Sequence, residues 1–111
     1  MTVSELVKKA ELTVFAGSNG LNNEIVGGYT SDLLSDVMGN ADAGCVWITL
    51  QSHKNVMAIA SLKELAAVII VNSGSPEADM SEQAEKEGIP VLGTTLGAFE
   101  ISGILYNSLN A

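Results

Sequence analysis

Ala67-Val-Ile-Ile-Val71 is apolar at every position. Successive side chains of a strand point to opposite faces, so a strand with no polar position has to be covered on both. Strands of this kind belong to parallel sheets lined by helices on each side. Upstream, Cys45 to Leu50 (CVWITL) is a β-branched and aromatic run and reads as a second buried strand. Ser52 fits the cap of a helix from about His53 to Leu65, and the two strands with this helix make a βαβ unit. Downstream, Asp79-Met-Ser-Glu82 fits a capping box, opening a helix that Gly88 ends. Pro90 then starts a strand, Val91 to Gly93, at a position where no ladder donor is required.

The outer parts of the chain extend the pattern. Glu24 to Thr30 reads as a strand interrupted by Gly27-Gly28, a pair that marks a bulge or the close approach of another backbone or a ligand. A short helix follows from Ser31 through Met38, with Gly39 as its stop. Thr2-Val-Ser-Glu5 is a capping box for a first helix, whose apolar side is Leu6, Val7 and Ala10. Leu12 to Phe15 is a short strand, Gly17 to Gly20 a turn, and a last helix runs from about Leu96 to Leu109. The order α-β-β-α-β-α-β-α-β-α predicts an α/β three-layer sandwich: one domain over 1–111, a mostly parallel five-stranded sheet, and helices on both faces.

Composition limits the function. The chain has 111 residues, 47% of them hydrophobic and only 16% charged, which suits one folded domain and not disorder. Five basic residues face 13 acidic ones, for a net charge of −8. Nucleic acid and anionic membrane surfaces both require clustered cations, so neither is an expected partner. One cysteine and one histidine allow neither an internal disulfide nor a Cys/His zinc cluster. Asp32, Asp36 and Asp42 lack the spacing of a calcium loop, and neither a metal nor a cofactor is expected. The N-terminus lacks the pattern of a signal peptide, and the longest apolar run, Leu65 to Val71, is too short to span a bilayer. The expected location is cytoplasmic.

The polar residues gather where strands end. Ser31-Asp32, Gln51-Ser52-His53, Asn72-Ser73-Gly74 and Thr94-Thr95 each follow a predicted strand. If these strands are parallel, the four clusters line one edge, where open α/β sheets hold ligands. Three of them run promptly into helices, whose first N–H groups attract polar or anionic groups. Ser31, Asp32, Gln51, Ser52, His53, Asn72, Ser73, Gly74, Thr94 and Thr95 are therefore the candidate ligand-binding residues. Helix capping explains the same Ser and Thr residues without any ligand. His53 is the only side chain that titrates near neutrality, and Asp32 is the carboxylate that could orient it. No arrangement of a known nucleophile accompanies them, and no Gly-Lys pair marks a phosphate loop. The expectation is a protein without catalytic residues.

Charge is unevenly spread. Five acids lie between Glu77 and Glu87, whereas Ile89 to Ala111 holds only Glu100. Leu96, Phe99, Ile101, Ile104, Leu105 and Leu109 go most of the way round the last helix. A helix apolar on all sides is covered on more than one, and in a chain this small the second cover is expected to be another subunit, as a homodimer.

The strings GGYTSDLLSDVMGNA, VWITLQSHKNVMAIASL, LAAVIIVNSG and GIPVLGTTLGAFEISGIL together resemble the small DRTGG domain over nearly the whole chain. The likeness is to stand-alone versions of that domain. Related modules occur in HPr kinase/phosphorylase, in phosphotransacetylases and between the CBS domains of certain pyrophosphatases. Leu50-Gln51-Ser52-His53 and Asn72-Ser73-Gly74 stand where the family has Gly-Asp-Arg and Thr-Gly-Gly segments. The resemblance implies a three-layer α/β fold, dimer contacts and a regulatory role. It does not imply kinase activity, which belongs to a P-loop domain. The expected function is a non-catalytic regulatory module that homodimerises and senses a small polar or phosphorylated ligand, such as a nucleotide. The alternative is a ligand-free subunit that docks onto a redox or signalling enzyme as its protein partner.

Overall fold

The chain forms α1 (Val3–Ala10), β1 (Thr13–Ala16), a 3-10 turn (Ser18–Gly20), β2 (Gly27–Thr30), α2 (Leu34–Asn40), β3 (Cys45–Thr49), α3 (Asn55–Leu62), β4 (Ala67–Ile70), α4 (Ala78–Glu87), β5 (Val91–Gly93) and α5 (Ala98–Leu109). The computed structural model covers Met1 to Ala111. The five strands make one sheet in the order β1-β5-β4-β3-β2. β2, β3, β4 and β5 are parallel; β1 is antiparallel to β5, with a register shift between Val14 and Ala16.

The three parallel crossovers step across the sheet in one direction and share one hand, so α2, α3 and α4 fall on the same face. Trp47, Val68, Ile70 and Val91 point to that face and pack with Val37, Val56, Met57, Met80 and Ala84. The intervening residues Val46, Ile48, Ala67, Ile69 and Leu92 point to the other face, against Val3 and Leu6 of α1 and Ile101 and Leu105 of α5. β3 and β4 are buried at every position, as runs with no polar face require. Each fully buried aliphatic or aromatic side chain contributes about 1.5–3 kcal/mol, so the two half-cores carry the stability.

The expected three-layer architecture holds, but the turns differ from their expected reading. The Thr2 capping box forms: Thr2 Oγ1 accepts the Glu5 N–H at 3.2 Å and Glu5 Oε1 accepts the Thr2 N–H at 2.9 Å. These bonds to Thr2 hold the Glu5 carboxyl below its ordinary range. The second capping box does not form, because α4 starts after Glu77 and leaves Asp79 inside its first turn. Its charge there still suits the positive helix end. Ser52 is not the cap of α3, which starts at Asn55 after Lys54; the Ser52 carbonyl instead accepts the Glu77 N–H at 2.8 Å. α2 starts at Leu34 and not Ser31, whose Oγ accepts the Leu33 N–H at 3.1 Å. α5 starts at Ala98, after Gly97. In each case the residues between strand and helix are used to travel from the sheet edge to the helix layer. Gly39 lies within α2, which ends one residue later, where Asn40 Nδ2 donates to the Asp36 carbonyl at 3.0 Å. Gly88 does end α4, at φ +67°.

β2 begins at Gly27, not Glu24, which makes an isolated bridge with Thr2. The glycine pair marks a close approach: a Cβ on Gly28 would sit 2.7 Å from Leu105 Cδ2, so its absence lets α5 lie on the strand.

Candidate functional site

All four polar clusters lie along one edge, because β2 to β5 are parallel and end in register, Thr30 beside Ile48, Thr49 beside Ile70, and Ile70 beside Gly93. Neighbouring ends are about 4.8 Å apart. The clusters nevertheless fall into two groups with different chemistry.

At the ends of β2 and β3 the polar groups bond to one another. Asp32 Oδ1 accepts from the Thr49 hydroxyl at 2.9 Å and from the Leu50 N–H at 2.7 Å. Gln51 Nε2 donates to the Asp32 carbonyl at 2.8 Å, and Gln51 Oε1 lies 3.0 Å from His53 Nε2. The amide orientation set by Asp32 makes His53 Nε2 the donor, and His53 Nδ1 is buried without a partner. Gln51 thus stands between His53 and Asp32, so Asp32 is not the direct orienter of the imidazole. Ser31 is equally committed, its carbonyl accepting from Trp47 Nε1 at 2.8 Å.

At the ends of β4 and β5 the chain opens. The connection from β4 goes to α4 on one face, and the connection from β5 goes to α5 on the other. Divergence of neighbouring connections is the arrangement that creates a crevice at strand carboxyl ends. Here it is a cavity of about 360 Å³ lined by Ser73, Gly74, Thr94, Thr95, Leu96 and Gly93, closed on its far side by Ala10, Glu11, Thr13 and Phe15. The volume is at the small end of ligand pockets. The β4 exit is a tight turn: Asn72 and Ser73 both have positive φ, 56° and 61°, and the Gly74 N–H returns to the Val71 carbonyl at 3.1 Å. Two non-glycine residues held in the left-handed region are costly, and such strain gathers at functional sites. The turn is tied to the next exit by Asn72 N–H to the Leu96 carbonyl and Ser73 N–H to the Thr94 carbonyl, both 2.9 Å.

Thr94 is buried, 9% exposed, and its hydroxyl oxygen accepts the Leu96 N–H at 3.1 Å. That bond leaves the hydroxyl proton free to donate. Neither Ser73 nor Thr95 caps a helix, and no helix that follows a parallel strand has a side-chain cap. Helix capping therefore does not explain these residues in this fold: Ser31 and Thr94 accept backbone N–H groups two residues on, ahead of the helices, and the Ser73 and Thr95 hydroxyls have no such use.

Glu11, Thr13 and Phe15 are cavity residues that the sequence does not reveal. A parallel β1 would start at the opposite end of the sheet; the antiparallel pairing of β1 with β5 puts Thr13 opposite Gly93 and brings the α1–β1 corner to the polar edge. Glu11, at φ +55°, ends α1 and is the one charged residue in the lining.

A second depression, about 880 Å³, lies between β2 and α5 and is lined by residues that include Val26, Gly28, Phe99, Ser102 and Tyr106. Thr30 Oγ1 and Ser102 Oγ, 2.7 Å apart, join the strand to the helix within it. Phe99 is 88% exposed and Tyr106 71%, so the last helix buries one side only. No helix of the chain is long and apolar enough to cross a membrane.

No protein-family model and no curated protein matches the chain. Among solved structures, it is similar to the CBS and DRTGG domains of the regulatory region of Clostridium perfringens pyrophosphatase, complexed with the activator diadenosine tetraphosphate. The likeness has a TM-score of 0.76 at 14% identity and covers 97% of this chain. The chain spans about half, 47%, of that structure. The five-stranded sheet, its helices and this likeness give the chain a DRTGG-like α/β fold.

Proposed function

We propose that the chain is a non-catalytic regulatory module that homodimerises and senses a small polar or phosphorylated ligand, a nucleotide being the leading class, at the carboxyl ends of its parallel strands. The observation that carries the reading is the cavity at the divergence of β4 and β5, with the hydroxyls of Ser73, Thr94 and Thr95 in its wall and none of them used as a cap. The similar structure supports it at the level of role, since it is a regulatory region bound to a nucleotide activator. In this reading Ser31, Asp32, Gln51, Ser52 and His53 hold the neighbouring edge in shape, and Asn72 sets the turn that presents Ser73. Asp32 is bonded to Thr49 and Leu50, and His53 Nε2 to Gln51, so the two do not form a direct carboxylate–imidazole pair. We place the module in the cytoplasm.

Thermal denaturation in the presence of nucleotides and phosphorylated metabolites tests the ligand. A ligand at 100 times its dissociation constant adds about 2.7 kcal/mol of stability, a shift of roughly ten degrees in a domain of this size. Absence of stabilisation by every compound at millimolar concentration would refute the ligand. The second reading, a ligand-free docking subunit, is favoured by the exposed Phe99 and Tyr106, and a stable heteromeric complex recovered with an unresponsive cavity would establish it.

A further inference from the structure

We infer that the β4–β5 cavity takes the nucleoside end of a ligand, a planar heteroaromatic ring with hydroxyl or amino donors, and not its phosphate. The inference rests on the ligand-sensing reading above and specifies the chemistry of that site.

The wall decides the class. Phe15 is 39% exposed, and its ring crosses β5 at Gly93, where a Cβ would collide with Phe15 Cε2. Glycine there leaves room for the ring beside β5, and its partial exposure offers an aromatic surface on which another ring can stack. Glu11, the single charged lining residue, is an acceptor only and calls for donors on the ligand. A carboxylate binding vicinal ribose hydroxyls is a recurrent solution at strand ends of this kind. Thr13, Ser73, Thr94 and Thr95 add hydroxyls that both donate and accept.

A phosphate finds nothing comparable. The five basic residues are all lysines, at 8, 9, 54, 63 and 86, and none lines the cavity; without arginine there is no bidentate clamp. The helices that leave beside the cavity carry their own acids at the start: Glu77 and Asp79 on α4, and Glu100 on α5. Glu100 Oε1 lies 3.1 Å from where a Cβ on Gly97 would sit, so a carboxylate already occupies the positive end of α5. Phosphates of a nucleotide would therefore extend out of the cavity into solvent.

Calorimetric titration of the full chain with adenosine, guanosine, cytidine, uridine, ribose 5-phosphate and inorganic phosphate tests this. At least one nucleoside should bind, and its 5′-phosphate should bind no more tightly. Amide chemical shifts should move at Glu11, Ser73, Gly74, Thr94 and Thr95. Glu11→Gln, at an exposed position that leaves the fold intact, should weaken the nucleoside about tenfold, the share of one charge-assisted hydrogen bond. Phe15→Ala should abolish binding. If ribose 5-phosphate or phosphate binds, nucleosides fail to compete and Glu11→Gln tightens the complex, the inference is overturned while the ligand-sensing reading stands. If no compound binds or stabilises the chain, both fall.

Discussion

Asp32 on the β2–α2 connection accepts the hydroxyl proton of Thr49 at the end of β3, across 2.9 Å, and the same oxygen takes the Leu50 N–H. Thr49 is 1% exposed, so its hydroxyl has lost water as an alternative partner. This pair fastens the edge of the sheet that carries the polar clusters.

Replacing Asp32 strands that hydroxyl. Asp32→Ala should cost about 2 kcal/mol, the range for a buried donor left without its acceptor. Thr49→Val removes the donor as well as the need for an acceptor, so Asp32→Ala combined with Thr49→Val should cost less than the two changes added. Urea denaturation of the four proteins measures the coupling; strict additivity would mean the pair is decorative.

The capping boxes supply a second, paired prediction. Thr2-Val-Ser-Glu5 and Asp79-Met-Ser-Glu82 have the same pattern, yet only the first caps a helix. The choice at α4 is made by packing: starting after Glu77 turns Met80 and Ala84 onto the sheet, where both are fully buried. Thr2→Ala should cost about 1 kcal/mol, whereas Asp79→Ala and Ser52→Ala should fall within about 0.5 kcal/mol of the parent. Denaturation midpoints distinguish the two classes of variant.

The same contrast shows what a single sequence carries. Cys45 to Leu50 and Ala67 to Val71 declare a parallel core because their composition leaves no face for water, and that physics is local. Helix starts are decided by how far the chain must travel from strand to helix layer, which Ser31, Ser52 and Leu96 do not encode individually. The edge of the sheet that collects polar residues was legible at Ser73, Gly74, Thr94 and Thr95. Glu11, Thr13 and Phe15 were not, because their place at that edge depends on β1 running backwards, a long-range pairing with no local mark.

Stability should depend on pH through one hydrogen bond on the α2 side. Tyr29 Oη donates to Asp36 Oδ1 at 2.7 Å. The bond holds the Asp36 carboxyl below its ordinary 3.8 and pushes the Tyr29 phenol above its ordinary 10.0. For Asp36 the folded value is the lower, so its contribution is complete above pH 3.8 and fades as pH falls towards the folded value. For Tyr29 the folded value is the higher, so the contribution is complete below pH 10.0 and fades as pH rises beyond it. Tyr29→Phe should flatten both limbs of the stability profile. Part of the acid limb should persist, because Glu5 is also depressed by its bonds to Thr2. Denaturation midpoints from pH 2 to 11 give both slopes, and unchanged limbs in Tyr29→Phe would count against the bond.

The last helix provides the test of self-association. Phe99 and Tyr106 are seven residues apart, two turns along one side of α5, and both are largely exposed. They flank the depression against β2, whose lining includes Val26, another exposed apolar side chain, and holds Glu100 as its one charged residue. β2 is also an edge strand with one side of its backbone unpaired. A second copy laid against this face would bring together surfaces almost free of the acids that give the chain its charge of −8, so repulsion between copies is least there. Phe99→Glu with Tyr106→Glu should leave helical content unchanged, since neither side chain belongs to the core, and should reduce the mass in light scattering from that of a dimer to that of a monomer. Ligand stabilisation should survive, because the β4–β5 cavity shares no lining residue with this face. A parent chain already monomeric at micromolar concentration, or a doubly charged variant that remains dimeric, would remove α5 from the interface.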